Sequence, residues 1–315
     1  MSSNSTGRLA LVTGGAGFIG GHLVEGLLAA GWSVRVIDDL STGSERNLVR
    51  VMDRIEFTRG DIRDVDTLER IMDGAELVFH QAAMASVPRS VALPVLSNSI
   101  NVGGTVLVLE TARKSGVRRV VYAASSAVYG NSEVLPKVES LPATPMSPYA
   151  LQKYTGEVYC RLYSELCGLE TVSLRYFNIF GPRQDPNSDY AAVIPSFVTA
   201  ALEGKPPVIY GDGEQTRDFI YVENAVQANL LAADAERASG SVINIAAGKR
   251  TSLNDLWQNI REIVGTDIEP RYTAPRTGDV RDSLADLTLA SDLLGYEPRV
   301  DLDAGLGRTI ADFRP

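Results

Sequence analysis

Cysteine and histidine are scarce, with two of each in the 315-residue chain. Cys160 and Cys167 would share one helical face two turns apart. At a rise of ~1.5 Å per residue that separation exceeds the ~7 Å limit of a disulfide. With no cluster of Cys and His, no metal is expected. Lysine is rare too: Lys114, Lys137, Lys153, Lys205 and Lys249 stand among 30 basic residues, so each invites a question about its task. Acidic residues number 39, and the net charge is −9. A duplex-binding protein has the opposite sign or a basic stripe, so nucleic acid is not an expected partner. No apolar run approaches the ~20 residues of a membrane span, so no membrane partner is expected. The polar opening Met1–Gly7 does not read as a signal peptide. A reduced, cytoplasmic protein is the expectation.

What is present is globular: 44% of residues are hydrophobic and 22% charged. Strand and helix patterns alternate through the first half. Arg8–Thr13, Ser33–Asp38, Ile55–Thr58, Leu77–His80, Arg119–Ala124 and Glu170–Arg175 read as buried strands. Helices are expected over Gly17–Ala30, Asp64–Met72, around Val95–Ser115, and from Pro148 to about Leu166 with Ser147 as cap. This alternation predicts an α/β fold, a doubly wound parallel sheet of Rossmann type, with sites at the carboxyl ends of its strands. After Arg175 prolines punctuate shorter elements. Val242–Ala246, after a helix near Asn224–Ala235, reads as a strand returning to the main sheet. The expected division is therefore residues 1–175, joined by 220–247, against a smaller lobe of 176–219 and 248–315. Glu133 and Glu139 read as solvated surface. His22 and His80 read as structural.

The first strand ends in Thr13-Gly14-Gly15-Ala16-Gly17-Phe18-Ile19-Gly20. Glycines 14, 17 and 20 would let the backbone turn tightly and approach a pyrophosphate at the following helix N-terminus. The second strand ends in Asp38-Asp39, where a carboxylate can accept both ribose hydroxyls of NAD and repels the extra phosphate of NADP. NAD is the expected cofactor. Further on, Tyr149 and Lys153 share a helix face one turn apart. The lysine charge is expected to lower the phenol toward neutrality and make it a general base. Ser125, at the carboxyl edge of the preceding strand, could hydrogen-bond the same substrate oxygen.

These pieces resemble the extended short-chain dehydrogenase/reductase family, and within it the UDP-glucose/UDP-N-acetylglucosamine 4-epimerases. The resemblance runs from about Leu9 to Phe313. Its motifs include Thr13–Gly20, Asp38–Gly43, Gly60-Asp61-Ile62, His80–Ala83, Ser125–Gly130, Tyr149 with Lys153, Arg175–Asn178, Tyr210–Gly213, Arg217-Asp218, and Pro275-Arg276 with Gly278-Asp279. It implies that Phe18 and Ile19 belong to the cofactor loop, as do Asp39, Leu40, Ser41, Thr42 and Gly43. Asp61 and Ile62 would sit by the adenine. Gln81, Ala82, Ala83 and Tyr176 would line the dinucleotide cleft, with Lys153 on the nicotinamide ribose. A UDP-sugar would be held by Ser86, Ser125, Ser126, Asn178, Ala192 and Val193. Ile209, Tyr210, Arg217, Arg276, Asp279 and Ser283 would complete that site, the arginines neutralising the pyrophosphate.

The implied reaction is epimerisation at C4 through a 4-keto sugar, with Tyr149 taking the C4 hydroxyl proton. Where family members restricted to UDP-glucose and UDP-galactose carry tyrosine, this chain has Ser283, which leaves room for an N-acetyl group. The nearest rival is a nucleotide-sugar 4,6-dehydratase or decarboxylase. A dehydratase needs an acid just after the catalytic hydroxyl, and Ser126-Ala127 cannot supply one. A non-catalytic NAD sensor would be expected to have lost Tyr149 or Lys153. The helices at 95–115 and 148–166 could pair with a second copy as a four-helix bundle, as family members do, which makes a homodimer the expected assembly.

Overall fold

The computed structural model describes residues 7–186, 192–275 and 281–314. Six strands come first: β1 (Leu9–Thr13), β2 (Ser33–Asp38), β3 (Ile55–Arg59), β4 (Leu77–His80), β5 (Arg119–Ser125) and β6 (Glu170–Tyr176). They alternate with α1 (Phe18–Ala29), α2 (Val65–Met72), α3 (Val87–Ala92), α4 (Pro94–Asn98), α5 (Thr105–Lys114) and α6 (Pro148–Cys167). The second half holds β7 (Asn178–Phe180), α7 (Val193–Leu202), β8 (Val208–Tyr210), β9 (Thr216–Arg217), β10 (Phe219–Tyr221) and α8 (Val222–Asp234). It ends with β11 (Ser241–Ile245), β12 (Thr251–Ser252), α9 (Leu253–Val264), β13 (Arg271–Thr273), α10 (Thr288–Leu294) and α11 (Leu302–Phe313).

The main sheet is parallel throughout, in the order β11-β6-β5-β4-β1-β2-β3. Every residue of β4 is buried, as are all but the last of β5. Helices on both faces require such unbroken apolar runs. One face packs Leu23, Val24 and Leu27 of α1 and Ala225 and Ala228 of α8 onto Val36, Phe79 and Val121. The other packs Leu68 of α2, Val108 and Leu109 of α5, and Cys160 of α6 onto Leu11, Val78 and Val120. A third core joins α7, α9 and α11, with Phe197 edge-on to Trp257 at 5.8 Å. Among the described residues no helix is long and apolar enough to cross a membrane.

Local chemistry sets the ends. Ser147 accepts the Ala150 N–H at 3.1 Å, Pro148 opens α6, and left-handed Gly168 closes it. The expected helix around 95–115 is present, its αR backbone continuing from α4 to α5 through a π segment. Ser99–Gly104 forms a π turn between α4 and α5. A Cβ on Gly104 would lie 2.5 Å from Ile62 Cδ1, so the widened turn seats glycine against the neighbouring strand's loop. The turn holds Asn101 inward, where it accepts the Met84 N–H (2.7 Å) and donates to Gln152 Oε1 (2.8 Å). Cys160 and Cys167 both lie on α6, seven residues apart as expected, with Cys160 buried and Cys167 exposed at the helix end. One expectation changes. Glu139 is half-buried and accepts the Asn244 N–H at 2.7 Å; burial raises its pKa.

Candidate active site

The sheet order reverses between β1 and β4, and their carboxyl ends open a crevice. Gly14 follows β1 with φ +69°, and a Cβ there would stand 2.6 Å from the Ala82 nitrogen. A Cβ on Gly20 would meet the Gly14 carbonyl oxygen at 2.1 Å. Gly17 caps α1 without a side-chain bond, so the first-turn N–H groups, from Phe18 and Ile19 onward, present the helix's positive end to an anion. That cradle fits a dinucleotide pyrophosphate. Asp38 at the end of β2 is buried; its oxygens accept the N–H of Ala16 (2.9 Å) and Leu40 (2.8 Å). Burial raises its pKa, and each oxygen keeps a lone pair for a hydroxyl. Gly43 lies against Ala16, while Asp39, Ser41 and Thr42 are exposed beside it. Asp61 is ion-paired to Arg63 at 2.5 Å, which holds its carboxyl below the usual range. Arg63 also reaches Ser99, and sequence reasoning gave no sign of it.

The crevice floor is polar and directional. The Ala82 N–H donates to Thr13 Oγ1 (3.2 Å), which bonds His80 Nδ1 (2.7 Å). His80 Nε2 bonds Thr105 Oγ1 (3.0 Å), whose hydroxyl donates to the Asn101 carbonyl (2.7 Å). These partners assign the Nε2–H tautomer. Burial, with Lys153 nearby, drops the His80 pKa to about 3. Gln81 Nε2 bonds the Tyr176 hydroxyl and Asn229 Oδ1, both at 3.2 Å. Burial pushes Tyr176 up to about 12. Asn229 on α8 is fully buried and also escaped the sequence reading, since one amide in a helix carries no distinguishing pattern.

At the carboxyl end of β5, Ser125 Oγ accepts the Ala127 N–H at 3.2 Å and lies near enough to the Tyr149 phenol to lower its pKa. Tyr149 is anchored through its own N–H on Ser90 Oγ (3.1 Å). Lys153, buried one turn later, donates to the Ala123 carbonyl at 2.7 Å and lies 5.0 Å from the Tyr122 ring centre. Burial drops its pKa to about 8. Behind it Glu157 and Arg175 form a buried bidentate pair, 2.9 Å on each side. The phenol is not lowered as expected: burial raises it and only the Ser125 bond opposes. The lysine ammonium gives one of its three N–H donors to the Ala123 carbonyl.

At the ends of the main-sheet strands, Ser86 caps α3 after β4 and Ser126 opens the turn after β5. Asn178 and Ala192 are exposed, and Val193 is half-buried. Ile209 is fully buried in the third core, so only its backbone can meet a ligand. Tyr210 ends β8 half-buried. Arg217 donates to the carbonyls of Thr216 (2.9 Å) and Arg281 (3.2 Å). Ser283 donates its N–H to Thr216 O at 3.1 Å and lies two residues beyond Arg281. Arg276 and Asp279 lie outside the described residues. Asp218, fully buried, accepts N–H groups of Ala247, Gly248 and Ala285 at 2.9–3.1 Å, tying Arg217's strand to the Ser283 segment.

Comparison with known proteins gives a consistent picture. Residues 10–246 match the model of the NAD dependent epimerase/dehydratase family. A UDP-glucose 4-epimerase of Mycolicibacterium smegmatis is 41% identical over 96% of this chain and 98% of its own length. A solved UDP-N-acetylglucosamine 4-epimerase from Methanobrevibacter ruminantium, in complex with UDP-N-acetylmuramic acid, has TM-score 0.94 and 42% identity over 98% of each chain. A Thermotoga maritima UDP-glucose 4-epimerase with UDP-glucose has TM-score 0.92 and 41% identity, covering 98% of this chain and 99% of that one.

Proposed function

Because the chain belongs to the NAD dependent epimerase/dehydratase family, we propose that it interconverts UDP-hexoses at C4, as an NAD-dependent isomerase working through a 4-keto sugar. The observation that carries this reading is the buried Lys153 ammonium anchored on the Ala123 carbonyl one helix turn from Tyr149, with Ser125 near the phenol. NAD, when bound in the glycine cradle, supplies a hydride acceptor and donor for C4. Tyr149 takes the C4 hydroxyl proton and later returns it, and Ser125 holds the same oxygen. Lys153 would hold the nicotinamide ribose. Asp38 would take the adenosine ribose, and Gln81–Ala83 and Tyr176 would form the cleft wall.

Arg217 and Arg276 balance the UDP pyrophosphate, with Asn178, Val193, Tyr210 and Asp279 around the nucleotide-sugar. Nothing acidic follows Ser125: Ser126 and Ala127 stand there, so the elimination chemistry of a dehydratase lacks its acid. Ser283 leaves space for an acetamido group, and both UDP-Glc/UDP-Gal and UDP-GlcNAc/UDP-GalNAc are substrates. Residues 1–175 with 220–247 form the NAD-binding unit, and 176–219 with 248–315 the sugar-nucleotide lobe. The enzyme is cytoplasmic and a homodimer, with α4–α5 and α6 of two copies in a four-helix bundle. Exposed Val95 (83%), Leu96 and Leu151 (52%) on those helices support that pairing.

The test is incubation of pure protein with each of the four UDP-sugars, no NAD added, and chromatographic resolution of the products. Both pairs should equilibrate. Recovery of each sugar unchanged would refute the reading.

A further inference from the structure

Arg183 stands at φ +65°, a left-handed conformation that a long side chain adopts only when its surroundings enforce it. Three elements do so. Its guanidinium forks onto Glu25 of α1 at 2.9 and 3.0 Å, and one nitrogen also donates to the Asn47 carbonyl at 2.7 Å. Its N–H donates to Asp312 of α11 at 2.9 Å. Just before it, the Pro182 carbonyl bonds His22 Nε2 at 3.0 Å.

Asn47 leads directly to the glycine loop. Its Nδ2 donates to the Ala16 carbonyl at 2.8 Å, and the Ser44 N–H shares that carbonyl at 2.9 Å. The Ala16 N–H is held by Asp38. Ala16, at the bend of the cradle, is thus gripped at both its N–H and its carbonyl. Arg183 belongs to the segment between Asn178 and Val193, on the lobe side of the crevice. We propose that Arg183 is a positioning residue for the dinucleotide loop, acting in series through Asn47 on Ala16, so that the sugar-nucleotide segment itself sets how firmly the cradle is shaped.

The inference rests on the NAD-binding reading above. Its test measures NAD release from purified holoenzyme and hydrogen exchange of residues 14–21 in four proteins: wild type, Arg183→Met, Asn47→Ala and the double variant. Arg183→Met removes a charge-assisted bond and Asn47→Ala a neutral one, and each single variant should speed NAD release about 10-fold or more. Because the links act in series, the double variant should release no faster than the worse single one, and exchange at 14–21 should rise equally in all three. Arg183→Lys, which can still reach one acceptor, should recover part of the effect. Arg308→Ala, which removes the exposed ion pair of α11 with Glu223 and touches neither Arg183 nor Asn47, should leave NAD release unchanged.

Multiplying effects in the double variant, or unchanged NAD release with only a lower melting temperature in Arg183→Met, would overturn the proposal. A wild type that carries no NAD refutes the cofactor reading instead. In that case the exchange rates alone decide: protection of 14–21 unchanged in Arg183→Met overturns the relay.

Discussion

Tyr149 stands one helix turn from Lys153 and near Ser125, and burial holds its pKa above the ordinary phenol value. Tyr149→Phe should lower kcat by ~10²–10⁴ while leaving the Kd for UDP little changed, since the phosphate contacts lie elsewhere. Ser283→Tyr should cut kcat/KM for the acetylated sugars far more than for UDP-Glc and UDP-Gal, because a phenol ring would occupy the acetamido volume. Equal losses on both pairs would remove Ser283 from the role. Two buried groups give stability opposite pH dependences. His80 titrates near 3 rather than 6.5, so the unfolded chain binds a proton the folded chain refuses, and stability falls as pH drops through that window. Burial lifts Asp218 from 3.8 to about 6, so there the folded chain binds the extra proton and stability falls as pH rises. Over pH 4–6 the two slopes, each up to ~1.4 kcal/mol per unit, largely cancel. Asp218→Asn should therefore lose stability on acidification below pH 6 more steeply than the wild type, as read by urea unfolding at several pH values.

At the scale of elements, α1 and α11 respond oppositely to the same added methyl group. Gly20→Ala would put a Cβ 2.1 Å from a backbone oxygen that cannot retreat without opening the Gly14 turn, so it should cost several kcal/mol and abolish NAD retention. Nothing lies within 4 Å of a Cβ on Gly307, mid-way along α11, and Gly307→Ala should stabilise by about 1 kcal/mol in thermal melts. Most elements were legible because a parallel sheet covered on both faces leaves unbroken apolar runs, as in Leu77–His80 and Arg119–Ala124. The π turn at Ser99–Gly104 was not legible. The apolar pattern continues through it, and what forces the extra residue is Ile62, distant in the sequence. The glycine loop, Asp38, Tyr149 and Lys153 could be read from spacing, since each sits at a strand end or on one helix turn. Arg63, Asn47 and Asn229 could not, because their partners come together only when separate elements meet.

For the whole molecule, the described surface leaves Val95, Leu151 and Leu166 bare along α4 and α6. A dimer should be the form in solution, and Val95→Glu with Leu151→Glu should shift the mass by light scattering to that of one chain. The sheet's outermost strand has a further consequence. β11 pairs with β6, yet α7, α8 and four short strands are synthesised between them. While the chain grows, the flank of β6 stands open, with Val172 and Leu174 beside unsatisfied backbone groups. That invites pairing with other nascent chains. A polypeptide ending at Gly240 should therefore emerge insoluble. Yield of the complete chain should fall with faster translation at high temperature and recover when a holdase shields that strand until Ser241–Ile245 leaves the ribosome.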